Sequence, residues 1–202
     1  MTHRLAGSVL ALAVWLAVPA IAQEEAAPSG MTPEQAAEME AYRKAGAPGP
    51  EHEMLAGMVG TYDVAVKTWH DPSAPPEESK ATATRTMDLD GRVLVERFEG
   101  SMMGAPFTGL GQTGFDNVSR EYWSTWMDSM STGIMVSKGS CDEKHTCTFS
   151  GSWNDAITKG PVSMRVQSRW TTPRTELFEM YGPGKDGKET KMMEMTYTKR
   201  SR

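Results

Sequence analysis

The chain has 202 residues, with 21 Lys+Arg against 26 Asp+Glu and a formal net charge of −5. That acidic balance lacks the basic footprint a nucleic-acid binder needs, and it argues equally against an anionic membrane surface. The length suits one domain able to bury a core without staples.

The first residues read as a secretory signal. Arg4 supplies a short positive region, residues 5–18 are almost wholly apolar, and Ala20-Ile21-Ala22 is a small-x-small cleavage site ahead of Gln23. The apolar run is shorter than the roughly 20 residues of a membrane span, and no stop-transfer flank follows. We therefore expect a signal peptide at 1–22 and a periplasmic or extracellular protein, with no membrane anchor after cleavage. Cleavage removes only Arg4 among the charged residues, taking the net charge to −6.

Residues 23–49 read as a linker with a short helix. Thr32-Pro33-Glu34-Gln35 is a helix start, with Thr32 as cap, Pro33 in the first turn and Gln35 closing a capping box. This helix would run to about Lys44 and stop at Gly46. Its apolar face is mostly alanine and has little to bury. A second short helix opens at Pro50 and carries Met54, Leu55 and Met58.

From there the pattern is β, over one domain at 50–202. Strands are expected at 61–69, 79–88, 92–101, 107–116, 120–128, 133–140, 146–153, 162–171, 175–181 and 189–199. Asp90-Gly91 is a hairpin signal, and Met103-Gly104, Asp116-Asn117 and the run from Gly182 to Gly187 are turn chemistry. The proline-containing segment 70–78 is the one long irregular connection. Gly109, Gly111 and Gly114 inside the fourth strand imply sharp bending or close backbone approach. Ten short strands joined by tight turns point to a closed antiparallel barrel, a shape that commonly encloses a small ligand.

Cys141 and Cys147 flank a polar hairpin tip. In an oxidising compartment they are expected to pair across it. A metal site with His145 would have only three visible ligands and no second cysteine pair.

The short helix followed by Gly60-Thr61-Tyr62 resembles the calycin entry signature, with Tyr62 where lipocalins carry tryptophan and Lys199 or Arg200 as the basic residue over it. A closer resemblance covers nearly all of 50–199. Pro50-Glu51-His52-Glu53, Phe98-Glu99-Gly100, Met193-Glu194-Met195-Thr196-Tyr197 and above all the run from Trp126 to Gly133 look like the bacterial domains of unknown function number fifteen-seventy-nine. The resemblance implies a calycin-like barrel and no established chemistry.

Candidate ligand contacts follow from strand alternation. Tyr122, Ser124, Trp126 and Asp128 share one face of the fifth strand, and Met130 follows. An aromatic pair and a carboxylate can orient a ligand in an apolar cavity. The commoner reading of such residues is structural: Trp126 as core, Asp128 capping the following turn, and Ser131, Thr132 and Gly133 making it. Glu179 and Glu194 sit among large apolar residues in the last two strands. With Arg97, Arg165 and Arg169 they form either an interior charged network or, as is commoner on half-exposed strands, an outward ladder. Methionine is dense here, which suits gap-filling or an adaptable pocket. No Met/His cluster for copper recurs. His52, His70 and His145 do not lie mid-strand facing a cavity, so haem is not expected, and no nucleophile motif is present.

The sequence therefore supports an all-β, ten-stranded antiparallel calycin-like barrel with a short N-terminal plug helix. The leading expectation is a small apolar or amphipathic ligand held near Tyr122, Trp126, Asp128, Met130, Glu179 and Glu194, with no catalytic residue, metal or cofactor assigned. The rivals are an enzyme using Asp128, Glu179 or Glu194 as acid or base, and a filled barrel with a structural role. An isolated buried carboxylate in the cavity would favour the enzyme, satisfied polar groups in an apolar cavity would favour binding, and a barrel packed solid would favour the third.

Overall fold

A computed structural model describes residues 30–184 and 186–201. The expected signal peptide at 1–22 lies outside the described residues. The chain divides into two units, one ending at Glu40 and one running from Ala41. Helix α1 (Pro33–Gly46) spans that division, and none of its residues is buried. Its start carries the expected box: Gln35 N–H donates to Thr32 Oγ1 at 3.3 Å, and Thr32 N–H to Gln35 Oε1 at 2.9 Å.

The second unit is a closed ten-stranded barrel. Its strands are β1 (Gly60–Thr68), β2 (Glu77–Asp88), β3 (Val93–Met102), β4 (Ala105–Asp116), β5 (Glu121–Asp128), β6 (Met135–Cys141), β7 (Cys147–Asp155), β8 (Gly160–Thr172), β9 (Thr175–Pro183) and β10 (Glu189–Lys199). Every strand pairs antiparallel with its sequence neighbours, and β1 closes on β10. The expected boundaries fall within two residues of these. The Met103-Gly104 hairpin needs two left-handed residues in succession, which it has at φ 50° and 75°.

Helix α2 (Pro50–Gly57) lies against β2, β3 and β4 and plugs one end. His52 is buried because its ring completes the helix start, with Nδ1 accepting the Gly49 N–H at 3.1 Å and its edge meeting Phe115. Leu55 and Tyr62 are almost fully buried at this end, and the Tyr62 hydroxyl donates to the Met58 carbonyl at 2.5 Å. Between the two basic candidates over Tyr62, Lys199 takes the role, with Nζ 5.9 Å from the ring and donating to the Gly57 carbonyl. Arg200 instead pairs with Asp63. Cys141 and Cys147 are register partners and are joined by a disulfide across β6 and β7. Asn117 ties the chain entering α2 to the β4–β5 turn by donating to the Ala45 and Ala47 carbonyls.

Candidate functional site: the barrel interior

Strand alternation and the observed register decide which side chains enter the barrel. Tyr62 on β1 fixes the parity. It carries Val64, Val66 and Thr68 inward, with Ala83 and Ala81 beside them on β2. Continuing that parity round the wall brings in Glu96 and Phe98, Trp126, Ser137, Met164, Ser168, Phe178 and Met195. These inward side chains leave a cavity of about 330 Å³. Eight of its lining residues are methionine, from Met54 and Met58 on the plug side to Met102 near the opposite end, so the wall is apolar and deformable.

The cavity has one strongly polar pole. Arg85 on β2 is the register partner of Glu96 on β3, and its Nε donates to Glu96 Oε2 at 2.5 Å. From across the barrel, Glu176 on β9 accepts Arg85 Nη1 at 2.5 Å. Ser168 donates to the other Glu176 oxygen, and the Tyr197 hydroxyl reaches Glu96 Oε1 at 3.3 Å. The guanidinium also lies 4.9 Å from the Tyr62 ring and 4.6 Å from the Tyr197 ring, a cation–π arrangement with each. Burial opposes the charge on Arg85, but Glu176 and Glu96 outweigh it and hold its pKa well above the ordinary value. Burial pushes the Tyr197 phenol well up, and Glu96 adds to the rise while Arg85 opposes it. Among the described residues no buried side-chain nitrogen or oxygen lacks a partner.

At the other end, where α2 is absent, the wall is lined by Thr68, Ser79, Ser101 and Phe107, with His70 and Glu77 paired at 3.2 Å. Exposed apolar side chains stand on the turns of this end: Met103, Met130, Ile134 and Ile157.

The six expected ligand contacts are not brought together. Tyr122, Trp126 and Asp128 line the cavity from β5. Tyr122 lies toward the plug, ring to ring with Phe115 at 4.8 Å, and burial raises its phenol pKa. Trp126 lies over Gly109, where an added Cβ would collide with the indole. Strand-four glycines thus make room for a ring. Asp128 does two local jobs: Oδ2 accepts the Trp126 indole N–H at 3.0 Å, and Oδ1 accepts the Met130 N–H at 2.9 Å. The Met130 side chain is 52% exposed and does not line the cavity.

Glu179 and Glu194 are absent from the lining as well; they face outward from β9 and β10. Glu179 accepts from Arg169 Nη1 at 2.6 Å and from Lys191, which also reaches Glu194 at 2.8 Å. Arg165 pairs on the outside with Glu189. The outward-ladder reading holds for these residues, and the interior network is built instead from Arg85, Glu96 and Glu176, which the sequence reading missed. A parity count could have found them: Arg85 shares its face with the small residues Ala81 and Ala83, and Glu176 shares its face with Phe178 and Met180.

Among the described residues, no group of three or more His, Cys, Asp or Glu side chains is arranged to hold a metal ion, and no helix is long and apolar enough to cross a membrane.

A closed ten-stranded antiparallel barrel, plugged by a short helix and opening on a central cavity, is the calycin-like architecture. Within that class, the profile described as "Protein of unknown function (DUF1579)" matches residues 47–199, and the chain belongs to this family. The crystal structure of Rv2717c from M. tuberculosis is similar at a TM-score of 0.56 and 12% identity, over 77% of this chain and 100% of that one. The S-type phycobiliprotein lyase CPES from Guillardia theta is similar at 0.55 and 14% identity, over 79% of this chain and 97% of that one. At these identities the likeness is one of fold. No curated protein sequence matches the chain.

Proposed function

We propose that the protein reversibly binds a small apolar or amphipathic molecule inside the barrel, after export and removal of residues 1–22. The observation that carries this reading is the cavity of about 330 Å³, within the size range of small-molecule sites and apolar along most of its wall. The satisfied interior carboxylates support binding over acid–base chemistry: Glu96 and Glu176 are both engaged by Arg85, and Asp128 is engaged by Trp126 and the turn. The open volume also speaks against a barrel filled by its own side chains. Similarity of fold to a phycobiliprotein lyase is consistent with a ligand-handling barrel. Trp126 is the natural reporter, since its ring forms cavity wall beside Phe98 at 5.9 Å.

Native mass spectrometry of the protein from its exported fraction tests the proposal. The expected result is a chain beginning at Gln23 with an excess mass that is released on denaturation. A bare chain that takes up nothing from a lipid and metabolite extract would refute binding. A chain that keeps residues 1–22 would refute processing at that site.

A further inference from the structure

We infer that the cavity selects ligands with a cationic, amine-type head and rejects carboxylates of the same chain length. This rests on the reading of the cavity as a binding site and names the chemistry it takes.

The charged side chains that line the cavity are unequal in number. Four carboxylates, Glu77, Glu96, Asp128 and Glu176, line the cavity with one guanidinium, that of Arg85, and one imidazole, that of His70, which pairs with Glu77. An anionic head therefore meets Asp128 near the mouth, whose partners are neutral N–H groups, and two carboxylates against one cation at the deep pole.

Arg85 would be the obvious anchor for a ligand carboxylate, but it is already engaged. Its Nε and Nη1 are held by Glu96 and Glu176, and Tyr62 and Tyr197 place rings against it. A ligand carboxylate could take the Nε or Nη1 position only by displacing a glutamate that is itself buried or nearly so, and at Nη2 it would be a third carboxylate on one guanidinium. The displaced side chain would then be a charge without a partner in a low-dielectric interior, which is the costly half of a broken buried ion pair.

A cation changes the count in the favourable direction. Two carboxylates against one guanidinium become two against two when an ammonium settles beside Glu96, the more accessible of the pair at 13% side-chain exposure against 5% for Glu176. The approach to that position passes Phe98, Trp126 and Phe178, whose ring faces attract cations, while the surrounding thioethers hold an alkyl stem without polar demand. The volume suits one medium-length chain or a small ring system.

The test uses three probes with one alkyl chain and different heads: dodecylammonium, dodecanol and dodecanoate. Each is titrated into the full mature chain below its micelle concentration and followed by Trp fluorescence and calorimetry. Dodecylammonium is expected to bind about tenfold or more tighter than dodecanoate, with dodecanol between them. Glu96→Gln removes the excess charge while leaving Arg85 its Glu176 partner. It should weaken dodecylammonium about tenfold and dodecanol by much less. Glu176→Gln makes the same charge change from the other wall and serves as the second variant should Glu96→Gln not melt cooperatively. Dodecanoate binding as tightly as dodecylammonium, or Glu96→Gln weakening all three probes alike, overturns the selectivity while leaving the binding site standing. Failure of all three probes to bind overturns the binding reading and this inference together.

Discussion

Two charged networks share β9 and show how differently the same chemistry behaves on the two sides of one wall. Glu176 turns into the barrel and meets Arg85, while Glu179, three residues on and therefore on the opposite face, turns outward to Arg169 and Lys191. Both carboxylates are nearly inaccessible, at 5% and 8% side-chain exposure, so burial of the acid does not separate them. The cations do. Arg85 is 8% exposed and has nowhere else to put its charge, whereas Arg169 and Lys191 keep 38% and 30% of their side chains in solvent. The exterior network can break and be rehydrated. The interior one is bound into the fold, and its excess carboxylate belongs to the cavity.

The largest expected effect follows from that contrast. Arg85→Met leaves Glu96 and Glu176 facing each other without a counter-charge and should cost about 3–5 kcal/mol in urea unfolding, with much of it recovered by adding Glu96→Gln and Glu176→Gln. Arg169→Met removes one of two cations from Glu179 and should cost less than about 1 kcal/mol. Equal losses at the two positions would break the comparison.

A middle-sized effect is expected in the wall itself. Gly109→Ala sets a Cβ in collision with the ring carbons of the Trp126 indole, and overpacking of this kind costs about 1–3 kcal/mol. Trp126 cannot retreat freely, because Asp128 holds its indole N–H. The variant should therefore also shift the Trp126 emission, isolated by difference against Trp126→Phe. A loss of stability with unchanged emission would mean that the backbone moves and the ring does not.

The strand pattern, turn chemistry and plug helix were legible because each depends on local signals: alternation, left-handed turn residues, a capping box. Parity was harder to read, and the candidate site depended on parity. Inward positions here are often polar, as at Arg85, Glu96, Ser137, Ser168 and Glu176, while Trp123 packs on the outside over Gly114. Hydropathy therefore does not separate the faces strand by strand. The β5 face was readable because Tyr122, Trp126 and Asp128 are spaced along a single strand. The Arg85 pole was not, because it joins β2, β3, β8, β9 and β10, and only closure of the barrel brings those strands to one point. Glu179 and Glu194 looked eligible because large apolar residues flank them. Those neighbours point the other way, as Phe178 and Met180 do beside Glu179.

The smallest effect tests the exterior network by pH. Burial opposes ionisation of Glu179, but hydrogen bonds from Lys191 and Arg169 outweigh it and hold the carboxyl below the ordinary carboxylate range. A folded-state pKa below the unfolded one stabilises the fold at pH values above the unfolded value of about 4.3. That stability is lost as pH falls through the folded value. Glu179→Gln keeps the shape and removes the ionisation, so wild type should exceed the variant by about 1 kcal/mol near pH 7, a modest margin because both cations stay partly in water. The margin should close on acidification below about pH 4, when the wild-type carboxyl takes up its proton. Paired melting curves across that range decide it. A margin that stays constant down to the lowest pH would mean that the substituted amide disturbs packing against the neighbouring stems. Glu179 would then hold its place in the wall by shape, and the ionic contrast with Glu176 across β9 would not stand.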